Sequence, residues 1–260
     1  MPYFTAEDGE MVYYSERGSG KPLFFIHGWM SDGLDFEKNI AFFSNQYRCI
    51  SLDIRGHGFS GRIEKNLNIT QVAKDVHLLI ENLNLKDLIL VGHSMGAVVI
   101  FNYISQFQTS SLKGICIIDQ LPKLLKINKW NFGVEGGLAI IQQLEETLNN
   151  NFSTFVENVA KQSTAMERTV RNMSKKTILT FFKELCTYDY RELMSEIDIP
   201  VLCLLKREGN LPSNPLGKWY QDNLSNCTYV EFSNSGHWIF RDEEEKFNLF
   251  LKNFIKQIYL

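Results

Sequence analysis

The sequence predicts an α/β protein with a central, mostly parallel sheet that is flanked by helices. Two observations lead to this prediction. Short apolar runs recur along the 260-residue chain and are mostly continuous rather than alternating, which is typical of strands buried on both faces of a sheet. Segments with helical periodicity lie between these runs. This alternation is typical of doubly wound sheets, in which binding crevices open at the carboxyl ends of the strands.

The predicted strands begin with a hairpin. Two short segments at 3–6 and 11–16 flank an Asp8-Gly9 turn, a pattern typical of antiparallel pairing. Six further strands are predicted at 23–27, 47–53, 88–92, 114–119, 201–205 and 228–232. Amphipathic patterns predict helices at 70–83, 94–106 and 243–258, the first with Thr70 as its N-cap.

The interval between Asp119 and Pro200 breaks this alternation, because it has helical stretches and no convincing strand. Helices are expected there at about 135–150, 152–161, 166–172 and 175–188. We therefore expect residues 1–120 and 196–260 to form the core, and residues 121–195 to form a helical cap, or lid, inserted after the sixth strand. The alternative is that these extra helices pack on one side of the sheet.

Composition and charge exclude several classes of function. The net charge is −3 and the chain has no basic block, so we expect no nucleic-acid partner. Residues 1–20 show no cationic start followed by an apolar stretch, and no later run approaches the roughly 18 apolar residues that would span a membrane. Five cysteines without CxxC or zinc spacing suit a reducing compartment. We therefore expect a soluble, cytoplasmic protein, with its oligomeric state left open.

A glycine-bracketed serine marks the sharpest change of direction in the chain. The segment GHSMG (92–96) follows a predicted buried strand and precedes a predicted helix. A G-x-S-x-G turn of this kind presents its serine from a strained bend, and the glycines let neighbouring backbone approach. The helix that follows directs its first N–H groups towards negative charge on a substrate oxygen. We interpret Ser94 as a nucleophile; the alternative is an ordinary strand-to-helix turn.

A serine hydroxyl needs a base near neutral pH, and imidazole is the usual one. The chain has five histidines. His237 follows the last predicted strand and precedes the last predicted helix, late enough to complete the chain order Ser, acid, His. We predict that His237 is the base and that the other four are structural. No pair of them has metal-ligand spacing, so we expect no metal.

Four motifs carry a resemblance to a known group of proteins: HGW (27–29), DIRGHGFS (53–60), GHSMG (92–96) and GH (236–237). In order and spacing they are similar to the α/β-hydrolase fold superfamily, and DQLPK (119–123) resembles its esterase and non-haem haloperoxidase-like subgroup. The resemblance implies ester hydrolysis and an oxyanion hole made by the backbone N–H groups of Trp29 and Met95. We expect no cofactor, because the sequence has no G-x-G-x-x-G at a strand end and no Walker pattern.

The acid of a catalytic triad has two candidates. In many members of the superfamily it is an aspartate just after the strand that corresponds to 201–205, but the only carboxylate there is Glu208. Asp119 instead ends the preceding strand, a position similar to that of the acid in haloalkane dehalogenases. A carboxylate placed there can reach Nδ1 of the histidine, fix its tautomer and stabilise the imidazolium. We predict Asp119 as the acid and keep Glu208 as the alternative.

Serine, histidine and acid together predict a serine hydrolase that cleaves a small carboxylic ester, thioester or lactone through an acyl-enzyme intermediate. Trp29, Trp130 and Trp238 are candidate lining residues for an apolar acyl group. The expected partner is therefore a small, apolar, ester-like substrate. The alternative function is a small-ligand receptor or signalling protein of the same fold, with slow or no turnover.

Overall fold

Eight strands form one sheet in the computed structural model, which describes residues 2–62, 64–207 and 214–259. They are β1 (Tyr3–Thr5), β2 (Met11–Arg17), β3 (Pro22–Ile26), β4 (Arg48–Leu52), β5 (Leu88–His93), β6 (Leu112–Ile118), β7 (Val201–Lys206) and β8 (Cys227–Phe232). Each of them overlaps a strand that the sequence predicts. Their order across the sheet is β1-β2-β4-β3-β5-β6-β7-β8.

Strand directions follow the predicted scheme. β1 pairs antiparallel with β2, and β2 pairs antiparallel with β4. The remaining neighbours, from β4 to β8, pair in parallel. The predicted class, an α/β fold with a mostly parallel sheet, is therefore confirmed. The order reverses between β3 and β5, which are neighbours but not consecutive in the chain, and such a reversal opens a crevice beyond the carboxyl ends of the strands.

The described residues contain ten α-helices. They are α1 (Glu37–Phe43), α2 (Ile69–Asn82), α3 (Met95–Phe107), α4 (Ala139–Asn150), α5 (Phe152–Ala160), α6 (Thr164–Arg171), α7 (Lys175–Thr187), α8 (Pro215–Asn223), α9 (Ile239–Asp242) and α10 (Glu244–Tyr259). The sequence analysis does not predict α1, α8 and α9, and α9 is a single turn of four residues in which no period can be recognised. Within the described ranges, none of the helices is both long and apolar enough to cross a membrane.

The start of α2 corrects the expected cap. The side chain of Asn68, not that of Thr70, accepts a hydrogen bond at the N-terminus of this helix, from the N–H of Gln71 at 2.8 Å. Asn68 has the extended backbone that an N-cap requires, whereas Thr70 already lies inside the helix. The expectation of Thr70 is wrong because Ile69, which is buried, already belongs to the apolar face of the helix.

Burial on both faces of the sheet explains the continuous apolar strands. Along β3, Phe24 and Ile26 pack into one core together with residues of α2 and α3. Leu23 and Phe25 point to the opposite face and pack with residues of α1 and α10. All four side chains have no exposed surface. A strand with two buried faces has no position left for a polar residue, so its sequence loses the alternation of a half-exposed strand.

Helices α4 to α7 all lie between β6 and β7 in the chain, within the segment 121–195 for which a cap is predicted. Their inward residues, such as Ile178, form a third apolar cluster. This cluster includes Met30 and also packs against Trp29 and Trp238, which lie in loops beyond the carboxyl ends of β3 and β8. These helices therefore contact the strand ends where a crevice is expected. The division of the chain into core and cap stays a prediction.

Candidate active site

Ser94 occupies a strained bend between β5 and α3. Its φ is 51° and its ψ is −118°, a combination that residues with a side chain rarely adopt and that persists only where the surroundings enforce it. If residue 92 carried a side chain, its Cβ would lie only 2.6 Å from the carbonyl carbon and oxygen of Gly96. The strand and the helix therefore meet too closely for a side chain at residue 92, which explains why the serine needs its flanking glycines.

A histidine and an aspartate meet beside this bend. Nδ1 of His237 lies 2.6 Å from Oδ2 of Asp119. Asp119 directly follows β6, and its Oδ1 accepts the N–H of Lys206 at 3.1 Å. The Asp119 side chain is 9% exposed and that of His237 is 34% exposed. Because a carboxylate only accepts hydrogen bonds, Nδ1 of the neutral histidine carries the proton, which leaves Nε2 as the basic nitrogen.

The bend and the histidine–aspartate pair share their supports. The N–H of Ser94 donates to the carbonyl of Ile118, the residue before Asp119, at 3.0 Å. The ring of His93, the residue before Ser94, lies 4.6 Å from the ring of His237. In the described part of the chain, neither the Ser94 hydroxyl nor His237 Nε2 makes a hydrogen bond within the protein. Catalytic hydrogen bonds of this kind often close only around a substrate, so the arrangement suits proton transfer during catalysis.

The loop after β3 packs directly behind the serine. If residue 28 carried a side chain, its Cβ would lie 3.2 Å from Cβ of Ser94. The backbone of Trp29, the next residue, is therefore also close to the bend. Neither the N–H of Trp29 nor that of Met95 donates to an acceptor within residues 2–62, 64–207 and 214–259. Met95 is the first residue of α3, where backbone donors are left free. Both candidate oxyanion donors therefore lie in segments that meet behind the serine, and neither has a partner in the described part of the chain.

His27 fixes this loop in place. Its Nδ1 lies 2.7 Å from the carbonyl oxygen of Gly28, and its Nε2 accepts the N–H of Ile54 at 2.9 Å. The ring is fully buried. Because one nitrogen donates and the other accepts, the imidazole is used as a neutral bridge between the loops that follow β3 and β4. This arrangement agrees with the interpretation of His27 as structural.

The three candidate lining tryptophans occupy different surroundings. Trp29 stacks on Phe182 of α7, and its Nε1 donates to the carbonyl of Ile178 at 3.2 Å. Trp238 lies beside the proposed base, with its ring 5.5 Å from that of His237. Trp130 instead packs on Trp219 and lines an open cavity of about 670 Å³, whose lining includes none of the candidate catalytic residues. The structure thus brings Trp29 and Trp238, but not Trp130, to the loops around the serine.

Ion pairs and hydrogen bonds connect the loop after β3 to α6 and α9. We call this set of residues the tether; it consists of Asp32, Asp35, Arg168, Thr169 and Arg241. Oδ2 of Asp32 accepts from Arg168 at 2.6 Å and from Thr169 at 2.9 Å, both on α6. Oδ1 of Asp35 lies 3.2 Å from Arg241 on α9. Both carboxylates are buried, and burial raises the pKa of Asp35. The tether joins the loop after β3 to α6 and to the helix that follows His237.

One contact of this site is not predicted from the sequence. His93 is interpreted from the sequence as structural, and its Nε2 lies 2.9 Å from the carbonyl oxygen of His237. The only signal in the sequence is a polar residue at the end of an otherwise apolar strand. The alternative acid, Glu208, lies outside the described residues. Within the described ranges, no three histidine, cysteine, aspartate or glutamate side chains form a group that could hold a metal ion.

Comparison with known proteins gives consistent matches. The family model described as alpha/beta hydrolase fold matches residues 21–244. The bifunctional esterase/perhydrolase DCH from Acinetobacter calcoaceticus is 24% identical over 278 residues, which cover 98% of this chain and all of that protein. A non-heme haloperoxidase from Rhodococcus erythropolis is 32% identical over 126 residues, 48% of this chain and 46% of that protein. An esterase from Exiguobacterium antarcticum, EaEST, has a similar structure, with a TM-score of 0.88 over 98% of each chain at 21% identity.

Proposed function

The chain belongs to the alpha/beta hydrolase fold family, and from this premise we propose that it is a serine hydrolase that cleaves a small carboxylic ester, thioester or lactone. The family and a relative matched over its full length support a hydrolase. The observation that carries the finer proposal is the 2.6 Å contact between His237 Nδ1 and Asp119 Oδ2 beside the strained bend of Ser94. A base oriented by a carboxylate beside a half-buried serine hydroxyl is the arrangement that acyl transfer requires.

The proposed reaction begins with attack of Ser94 Oγ on the acyl carbon of the ester. Nε2 of His237 takes the hydroxyl proton, and Asp119 stabilises the imidazolium that forms, without itself becoming protonated. The histidine then returns the proton to the leaving oxygen or sulfur, and the acyl group stays on Ser94. Water, deprotonated by the same histidine, attacks the acyl carbon and releases the acid.

The backbone N–H groups of Trp29 and Met95 are proposed to hold the oxyanion in both steps. They belong to the loop after β3 and to the start of α3, which meet behind the serine. A backbone donor aimed at the developing charge contributes about 10²- to 10³-fold to kcat in such sites. The free N–H groups of the first turn of α3 also favour negative charge at this position.

The acyl group is proposed to be small and apolar. Trp29 and Trp238 pack on the apolar cluster of the helices between β6 and β7, and Met30 is a member of that cluster. Thioether side chains adapt to ligands of varied shape. The printed activity of the relative from Acinetobacter calcoaceticus, esterase and perhydrolase, supports an ester as the substrate. We further propose that residues 121–195 cover the site as a cap.

Hydrolysis of p-nitrophenyl acetate and p-nitrophenyl butyrate by the wild type and by Ser94→Ala tests this function. We expect continuous turnover by the wild type and a loss of at least about 10³-fold in Ser94→Ala, because no other group replaces the nucleophile. Ser105→Ala is the matched control: Ser105 lies on α3, and its exposed side chain donates only to the Asn102 carbonyl within the part of the chain that the structure describes. This variant is expected to retain wild-type turnover.

Two outcomes would contradict the proposed function. Unchanged hydrolysis by Ser94→Ala would show that another group performs the reaction. A burst of one p-nitrophenol per chain without further turnover would favour the receptor, in which the acylated serine is not hydrolysed. A panel of esters, thioesters and lactones of increasing acyl length then identifies the preferred class by kcat/KM.

A further inference from the structure

We propose that His93 is a positioning residue, which holds the backbone of His237 through a hydrogen bond from its Nε2–H and thereby sets where the base points. The proposal rests on the proposed function, in which His237 is the base. The bond is 2.9 Å long and joins residues that are 144 positions apart in the chain. It connects the strand that ends at the nucleophile to the loop that carries the base.

The tautomer of His93 follows from its partner. A carbonyl oxygen only accepts hydrogen bonds, so Nε2 of His93 must carry the proton and Nδ1 must be the bare nitrogen. Nδ1 is buried and has no hydrogen-bond partner in the described part of the chain. Nδ1 of His93 faces the backbone of Gly28, and a Cβ at residue 28 would lie 3.0 Å from this nitrogen. The ring therefore leaves one acceptor unsatisfied and makes one hydrogen bond, which is the contact with His237.

The surroundings keep His93 uncharged. The titratable and charged groups that face it are His237 itself, Arg241 on α9 and His27 in the loop after β3. Complete burial, followed by the positive charge of His237 in its imidazolium form and of Arg241, holds the pKa of His93 well below its usual 6.5, although the hydrogen bond to the His237 carbonyl acts in the opposite direction. A neutral imidazole donates through Nε2 without adding a positive charge next to the base. His93 can therefore hold the loop without opposing formation of the His237 imidazolium.

Two separate contacts then fix His237. Asp119 holds its ring at Nδ1, at 2.6 Å, and His93 holds its backbone carbonyl. The His93 ring is also packed edge-on against Phe240 of α9, with centroids 4.9 Å apart. A ring that is anchored only at Nδ1 can still move with its loop, and a displacement of about 1 Å can cost about 100-fold in rate. Because His93 directly precedes Ser94, the end of β5 carries the nucleophile and also holds the loop of the base.

The test compares His93→Gln with His93→Met, two side chains of similar length and volume. Glutamine can donate an N–H towards the His237 carbonyl, whereas methionine has no donor. We expect His93→Gln to stay within about threefold of the wild-type kcat, and His93→Met to lose about 10- to 100-fold in kcat with KM changed less than threefold. Thermal unfolding of both variants shows that the assays are made on folded protein.

A second readout does not depend on catalysis. In nitrogen-15 NMR spectra, His93 of the wild type should show a proton on Nε2 and should stay uncharged at pH 6.5, where a free imidazole is half protonated. The ring signals of His237 should be broadened by loop motion in His93→Met but not in His93→Gln. A purely structural role of His93 would change thermal stability without separating the two variants in kcat or in these signals.

The proposal is overturned if folded His93→Met keeps the wild-type kcat, or if both variants lose activity equally. It is also overturned if the wild-type spectrum places the His93 proton on Nδ1. Failure of the proposed function gives a different result, namely unchanged hydrolysis by Ser94→Ala. In that case the NMR signals of His93 and His237 still decide whether the contact holds the loop.

Discussion

Ser94 and Asp119 share an unusual backbone conformation at the ends of neighbouring strands. Their φ values are 51° and 46°, in a region where a side chain is disfavoured. The N–H of Ser94 donates to the carbonyl of Ile118, and that of Asp119 donates to the carbonyl of Leu204 at 2.8 Å. Each residue is thus held by the next strand of the sheet. Backbone strain that the surroundings enforce is typical of functional positions. Here the two strained residues lie at the carboxyl ends of β5 and β6.

Substitution of the proposed acid tests its role at the residue scale. In Asp119→Asn we expect the fold to persist and kcat on p-nitrophenyl butyrate to fall about 10³- to 10⁴-fold. The amide can donate to Nδ1 and so favours the wrong histidine tautomer, and it does not stabilise the imidazolium. Circular dichroism checks the fold. Glu208→Gln is the matched control and should stay active; if only that variant loses activity, Glu208 is the acid and our assignment is wrong.

The buried side chain of His57 should make the stability of the folded protein depend on pH. Its Nδ1 lies 3.1 Å from the carbonyl oxygen of Arg55, its Nε2 is buried without a partner among the described residues, and burial lowers its pKa well below 6.5. The unfolded chain therefore binds this proton at a higher pH than the folded chain. The contribution of His57 to stability is complete above pH 6.5 and is lost as the pH falls from there towards the folded pKa.

The measurement is urea unfolding of the wild type and His57→Asn between pH 5 and 8. Asparagine is expected to keep a donor near the Arg55 carbonyl and does not titrate. We expect the difference in free energy of unfolding, wild type minus variant, to fall by up to about 1.4 kcal/mol for each pH unit below 6.5. A difference that is constant with pH would show that His57 is not held neutral in the folded protein.

At the scale of elements, the tether is the polar connection between the loop after β3 and α6. Asp32 has 2% of its side chain exposed, whereas its partner Arg168 is 47% exposed. Loss of the cationic partner of a buried carboxylate destabilises the folded state. For Asp32 this loss of free energy is reduced, because the ion pair is partly exposed to solvent at Arg168 and the hydrogen bond from Thr169 remains. The tether should therefore influence α6 more than the sheet.

Arg168→Met removes this ion pair and keeps the length of the side chain. We expect the free energy of unfolding to fall by about 1–2 kcal/mol and hydrogen exchange in α6 to become faster than in the wild type. Arg171→Met is the control on the same helix, because the Arg171 and Glu167 pair is exposed, and it should change stability by less than about 0.5 kcal/mol. Equal effects of the two substitutions would mean that the buried position of Asp32 has no energetic consequence.

The sequence predicts elements best where a period extends over many residues or where both faces are buried. The buried strands β3, β5 and β7 and the longer helices are of this kind, whereas α9 has only four residues. α8 could have been found, because Asn214 caps it and Pro215 takes its first position. Ser94 carries a local signature, but the contact between His93 and His237 spans 144 positions. Such a contact follows from the packing of two loops and leaves no pattern in the sequence.

At the scale of the whole molecule, the order of the strands assembles the candidate site. β3 and β5 are neighbours at the point where the order reverses, so the loop with Trp29 and the bend with Ser94 leave adjacent strand ends. Asp119 follows β6, the next strand across the sheet, and His237 follows β8 at the edge. Parallel strands place all these loops at one edge of the sheet. Residues that are far apart in the chain thereby meet at this edge of the sheet.

The most direct test of the central claim is the rate at which a fluorophosphonate ester modifies the protein, followed by peptide mass spectrometry. Our account predicts one adduct per chain, located on Ser94, and a reaction slowed at least about 100-fold in His237→Ala, because the hydroxyl then lacks its base. An adduct on another residue, or an unchanged rate in His237→Ala, would contradict it.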